Sequence, residues 1–152
     1  AGLNQLPKPE ILYDLELGAE KKNTDFTYGA TFYYMNYHNQ LVSTGKINDV
    51  GAYTRTNAPE SYRLGIELQA GQKFAKWIDA SGNISFSSNK IKNFTEYVAD
   101  YDNGEHVVYQ YHNTDITFSP DAIGSDTLNI IHVVTSAMSL QSKYVGMQFL
   151  DH

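Results

Sequence analysis

Three carboxylates share one side of the stretch ILYDLELGAE: Asp14, Glu16 and Glu20, at two- and four-residue spacing. Paired carboxylates are what hydrolysis of a sugar linkage needs, and Glu67 is a further candidate member of such a pair. That chemistry requires carboxylates from different strands to converge within roughly 5–10 Å. The plainer reading is that alternate acidic residues on an extended strand line a hydrated lumen. Asp100, Asp102 and Gly104 resemble the start of a calcium loop, but the glycine comes one position early. Tyr111 also stands where a bidentate Glu is required, so an EF-hand is rejected. The histidines are His38, His106, His112, His132 and His152. They show no H-E-x-x-H spacing, which excludes a zincin. His106 and His112 could face each other in a loop hairpin and hold a metal-bearing ligand; exposed loop histidines are the simpler account. There is no G-x-S-x-G elbow and no Gly-rich phosphate loop. With no cysteine there is no thiolate nucleophile, disulfide or Cys-based metal site. Asn83-Ile84-Ser85 and Asn93-Phe94-Thr95 match glycosylation acceptors, a motif common by chance. No catalytic residue, metal site or cofactor is assigned, and the chain is expected not to be an enzyme.

The elements that would carry these residues are read from composition and period. The 152 residues, enough for one domain, include 12 Tyr, 7 Phe and 1 Trp with 18% charged, a balance that favours β-structure. A formal net charge of −6 and the lack of a Lys/Arg run argue against a nucleic-acid partner. No stretch approaches the ~18–20 consecutive apolar residues of a transmembrane helix, which excludes helical spans and says nothing of a β-barrel. AGLNQLPKPE has no signal-peptide character, so the start is expected to have been processed away or to continue a longer protein.

Strict alternation marks strands at 11–20, 26–34, 62–70 and 78–86, with a shorter apolar run at 127–134 and a looser alternation at 137–150. The fold class expected is all-β, about six antiparallel up-and-down strands forming a segment of a transmembrane β-barrel. Each clean apolar face runs over about nine or ten residues, the ~9–11 that a tilted strand needs to cross a bilayer. Strands of soluble domains are more often about five or six residues long. The connections alternate: KKNTD, FAKW and Thr135-Ser136 are short, whereas 43–60 and roughly 93–118 are long and expected to face outside. Within the second, EYVADYDNGEHVVYQY centres on the hairpin turn Asn103-Gly104, and Pro120 in SPDAIGS predicts a bulge or kink in the fifth strand. In TFYYMNYHNQLV, the face Phe26–Tyr34 is expected to meet lipid. Tyr33, Tyr34 and Tyr37 are expected near the upper bilayer boundary, with Asn36, His38, Asn39 and Gln40 emerging into water.

Several segments resemble the TonB-dependent outer-membrane receptor family. LPKPEILYDLELGAE is similar to its L-x-P-E…Y-x-x-E-L-G segment, and ATFYYMNYHNQLV to the strand that follows. ESYRLGIEL is similar to its S-x-R-x-G-I-E strand, and GNISFSSNKIKNF and SKYVGMQFLD to its last strands. The matches keep the family's order and cover most of the chain, most weakly over 97–114. The resemblance implies a bacterial outer-membrane receptor of about 22 strands enclosing an N-terminal plug. Its implied partners are outer-membrane lipid, the plug, TonB and a scarce small ligand: an iron chelate, cobalamin or a glycan. The chain lacks a recognisable plug, TonB box or terminal aromatic strand, so residues 1–152 are expected to be a single segment from the C-terminal third of such a barrel. Alone in solution it is expected to hide its apolar face by self-association or by curling into a smaller unit. Tyr53, Arg55, Tyr101, Tyr109, Tyr111 and His112, on the long connections, are the expected ligand contacts, since aromatic and Arg side chains supply most binding energy at such surfaces. Two rival expectations are a soluble β-barrel or sandwich binding a small apolar ligand, with its apolar faces turned inward, and a carbohydrate-active enzyme using Asp14 with Glu16 or Glu67.

Overall fold

The computed structural model describes residues 7–47, 53–99, 106–133 and 136–149. Among them the chain is all-β, with strands β1 (Ile11–Lys22), β2 (Phe26–Ile47), β3 (Tyr53–Ala75), β4 (Ile78–Ala99), β5 (His106–Asp115), β6 (Ala122–Val133) and β7 (Ser136–Val145). They form one antiparallel sheet in the order β1-β2-β3-β4-β6-β7, with β5 paired to the far end of β4. The short-turn end is closed by Asn23–Asp25, where the Asn23 N–H donates to the Phe26 carbonyl at 2.8 Å, and by Lys76–Trp77.

Because side chains alternate, the register fixes which residues share a face. One row of the outer face runs Leu17–Phe32–Ile66–Phe86–Ala122; the next runs Ala19–Ala30–Leu68–Ile84–Gly124–Tyr144. The inner face reads Glu16–Tyr33–Gly65–Ser87, then Gly18–Thr31–Glu67–Ser85–Ile123. No second layer covers the outer face: Leu17 is 73% exposed, Leu140 60% and Phe86 47%. In water each such side chain would forgo about 1.5–3 kcal/mol of burial. The sandwich expectation, with apolar faces turned inward, therefore does not describe this sheet.

β2, β3 and β4 run 22, 23 and 22 residues, about twice the length that crosses a bilayer. Their outer faces are apolar only over the half nearest the short turns. Above that band the outward residues turn polar: Asn36 and His38 on β2, Glu60 on β3, Lys90 and Lys92 on β4. Lys92 pairs with Glu60 at 3.0 Å and Lys90 pairs with Asp115. Below it, the Tyr28 hydroxyl donates to Gln72 Oε1 at 2.8 Å, while Phe74 and Trp77 stand exposed at the lower rim. The buried cluster lies in the upper half, where Val42, Ala58, Ile91 and Ile116 meet and Tyr111 packs against them. Gln40, Ser61 and Asn89 are buried with it, and the Ser61 hydroxyl donates to Gln40 Oε1.

Three sequence expectations change. The expected fifth strand is two: β5 pairs with β4 at Lys90↔Asp115 and β6 pairs with it at Phe86↔Ala122. Those partner numbers sum to 205 and 208, so three extra residues interrupt the ladder, around the Pro120 that predicted a break. Second, 43–60 is not a loop for most of its length, because β2 and β3 stay paired as far as Ile47↔Tyr53. Third, of the boundary tyrosines only Tyr34 is on the outer face. Tyr33 and Tyr37 share the inner face with Gly65 and Ser61, since a period of two sends neighbours to opposite sides. The Asn103-Gly104 turn lies outside the described residues.

Candidate functional site

The inner face of β3 and β4 carries a polar ladder. Ser61, Arg63, Gly65, Glu67 and Gln69 alternate along β3, matched by Ile91, Asn89, Ser87, Ser85 and Asn83 on β4. β2 adds Tyr33 and Thr31 beside Gly65 and Glu67. The excursion between β5 and β6 folds over this ladder. The Ser87 N–H donates to the Asp121 carbonyl at 2.8 Å and the Ser87 hydroxyl to the Pro120 carbonyl at 3.0 Å. Phe118 sits in the left-handed region, with φ 56°, and gives its N–H to the Phe149 carbonyl at 2.9 Å. The result is a hollow of about 590 Å³ between the inner wall and the overhang Phe118–Pro120.

Its chemistry is that of a hydrogen-bonding wall with two opposite charges, Arg63 and Glu67. Arg63 lies with its guanidinium 6.0 Å from the centre of the Tyr37 ring, and its buried Nε has no hydrogen-bond partner among the described residues. Asn89 Nδ2 donates to the Ser87 hydroxyl at 2.9 Å, which orients the amide along the ladder. Tyr33 occupies the space above Gly65: a Cβ there would come within 2.6 Å of the Tyr33 hydroxyl and 2.5 Å of the Phe86 carbonyl. Glycine is thus what lets an aromatic ring lie flat on this wall.

Perturbed titration falls on the upper rim, away from the hollow. The Lys92 hydrogen bond and charge hold the Glu60 carboxyl below its usual 4.5, and Glu60 raises the Lys92 ammonium above 10.5 by the same contacts.

The residues expected to touch ligand lie elsewhere. Arg55 and Tyr109 are exposed, and Tyr109 stacks on Tyr111 with centroids 6.4 Å apart. His112 Nδ1 is hydrogen-bonded to Asn93 Oδ1 at 2.7 Å. The backbone of Tyr53 opens β3, and Tyr101 lies outside the described residues. The backbones of His106 and His112 belong to one strand, six residues and roughly 20 Å of extended chain apart, rather than to the two arms of a hairpin. No cluster of three or more His, Cys, Asp or Glu suited to a metal exists among the described residues. The hollow itself was not singled out in the sequence. Its signal was present in S-x-R-x-G-I-E, whose Ser61, Arg63, Gly65 and Glu67 all belong to the inner face.

A profile of an outer membrane protein beta-barrel family matches residues 4–151. No curated protein and no solved structure matches the chain. The profile match spans nearly all of the sequence and agrees with the sheet: apolar rows outward, a polar ladder inward, short turns at one end and tall hairpins at the other. The chain belongs to this outer membrane protein beta-barrel family, which places it in the bacterial outer membrane with lipid against its outer face.

Proposed function

We propose that the chain is part of the wall of a TonB-dependent receptor that binds and imports a scarce small ligand, such as an iron chelate, cobalamin or a glycan. The observation that carries this reading is the overhung hollow on the inner wall, on the side of the sheet opposite lipid. It offers the Arg63 guanidinium and a run of hydroxyl and amide groups to a solute inside the barrel. The resemblance of ILYDLELG and ESYRLGIEL to the receptor family's strands supports the same assignment. In this reading Tyr53, Arg55, Tyr101, Tyr109, Tyr111 and His112 capture ligand above the membrane, and a plug and TonB are partners. The role is binding and passage, not catalysis. Support comes from the register: Glu16 lies opposite Tyr33 and Glu67 opposite Thr31, two strands apart and in successive rows. Asp14, in the row of Met35 and Arg63, stands two rows from Glu67; strand spacing and rise put their backbones about 16 Å apart, too far for that pair to work together.

The test compares uptake of a labelled ferric chelate, cobalamin and an oligosaccharide by cells with and without the protein, with and without a protonophore. Uptake of one ligand should depend on both the protein and the proton gradient, and Arg63→Ala should raise its half-saturating concentration. Unchanged uptake of all three would overturn the import reading.

A further inference from the structure

Among the described residues, the apolar band of the lipid face holds one carboxylate where an apolar residue belongs. Along the part of β6 paired with β4, Asp126 is the third of five outward residues, after Ala122 and Gly124 and before Leu128 and Ile130. Opposite it on β4 is Gly82, the third of Ile78, Ala80, Gly82, Ile84 and Phe86. Both positions are therefore central among the outward residues of their own strands, away from the ion pairs of the upper rim. Asp126 stands three strands along the row from Tyr28, which bonds Gln72. On its other side the Ser142 hydroxyl donates to Asp126 Oδ1 at 2.7 Å. Among the described residues no Lys, Arg or His pairs with this carboxylate; neighbouring Lys143 shares the inner face with Ser125. A carboxylate accepts about four hydrogen bonds, and hydrocarbon donates none. Ionisable groups in such positions mark functional contacts.

The surroundings of Asp126 are also unlike the rest of the band. Ala70 and Gly82 precede it in its row, and Ala122 and Gly124 stand above it. A Cβ on Gly82 would lie 3.4 Å from the Asp126 Cβ and 3.0 Å from the Ser125 carbonyl, so a larger residue there would crowd the carboxylate. These small residues leave a shallow hollow in the outer surface, with the exposed Asp126 carboxylate at its edge, among Leu, Ile and Phe. Small residues let another backbone come close within the bilayer.

We infer that this hollow docks a different membrane-spanning polypeptide, which presents a Lys or Arg side chain to Asp126. Charge complementarity selects that partner over lipid tails. It also selects against a second copy of this chain, because a two-fold contact through the hollow would oppose two carboxylates. The inference does not depend on what the barrel imports.

The experiment uses Asp126→Leu and Asp126→Asn in the protein in its native outer membrane, with two readouts. One is the size of the complex after mild detergent extraction; the other is the unfolding temperature of the purified protein in phosphatidylcholine vesicles. Both variants should dissociate the complex, and Asp126→Leu should unfold at a higher temperature because it removes an unpaired carboxylate from the lipid face. A complex that survives both substitutions overturns the inference. So does a lower unfolding temperature for Asp126→Leu, which would mean that the carboxylate serves its own sheet. A complex that contains only copies of this chain overturns it as well.

Discussion

The inner wall depends on single residues whose size is set by their cross-strand neighbours. At Gly65 the Tyr33 ring and the Phe86 carbonyl leave no room for a side chain. Gly65→Val should cost about 1–3 kcal/mol through overpacking, read as a lower denaturant midpoint in vesicles. The carbonyl belongs to the backbone of β4 and cannot step aside as a flexible side chain could. On the upper rim, the Glu60–Lys92 pair has a defined pH dependence. Glu60 is depressed below 4.5, so its contribution is present above that value and lost as pH falls through the lower folded pKa. Lys92 is raised above 10.5, so its contribution is present below that value and lost as pH rises through the higher folded pKa. The pair therefore persists across neutral pH, and being exposed it adds little to stability. Lys92→Met should move the Glu60 titration midpoint, followed by carboxyl NMR, upward toward 4.5; an unmoved midpoint would mean that the contact does not persist in solution.

Among the elements, the interruption between β5 and β6 has the clearest consequence. The outward residues of the ladder are odd-numbered at Asp115 and even-numbered at Ala122, because an odd number of residues was inserted. Deleting Phe118–Pro120 removes three residues and brings both halves to one register without turning either over. The expected outcome is a continuous strand against β4 and an uncovered hollow. A cysteine at Ser85, which lines that hollow, should then react several-fold faster with a small polar thiol reagent. Equal rates would show that the overhang does not cover it. The overhang is also tied to Ser87 and to Phe149, so Ser87→Ala alone should loosen it while leaving the register intact.

For the molecule as a whole, the two faces set its place in the membrane. The single Trp, Trp77, lies at a short turn and is 56% exposed, beside the exposed Phe74. Interfacial aromatic girdles put such rings at headgroup level. Brominated lipids should quench Trp77 most strongly when the bromines are near the headgroup. Strongest quenching from mid-chain bromines would shift the whole sheet by several residues along its strands. Among the described residues the outer edges of β1 and β7 carry no partner strand, and an open edge offers a template for a further strand.

The sequence alone determined the class of structure. Alternation over about nine residues in 26–34, 62–70 and 78–86 can satisfy backbone and solvent together only as strands with one apolar face, and the alternating connections ordered them into hairpins. It also held the inner-face motif around Arg63, since a period of two puts Ser61, Arg63, Gly65 and Glu67 on one side. Only the tertiary structure decided that Tyr33 covers Gly65, that three inserted residues at Pro120 fold inward over a hollow, and that Asp126 meets Gly82 and Ser142 on the lipid face. Those facts depend on which residue lies opposite which across strands far apart in sequence, and register is set by the sum of all the pairings rather than by any one strand's pattern.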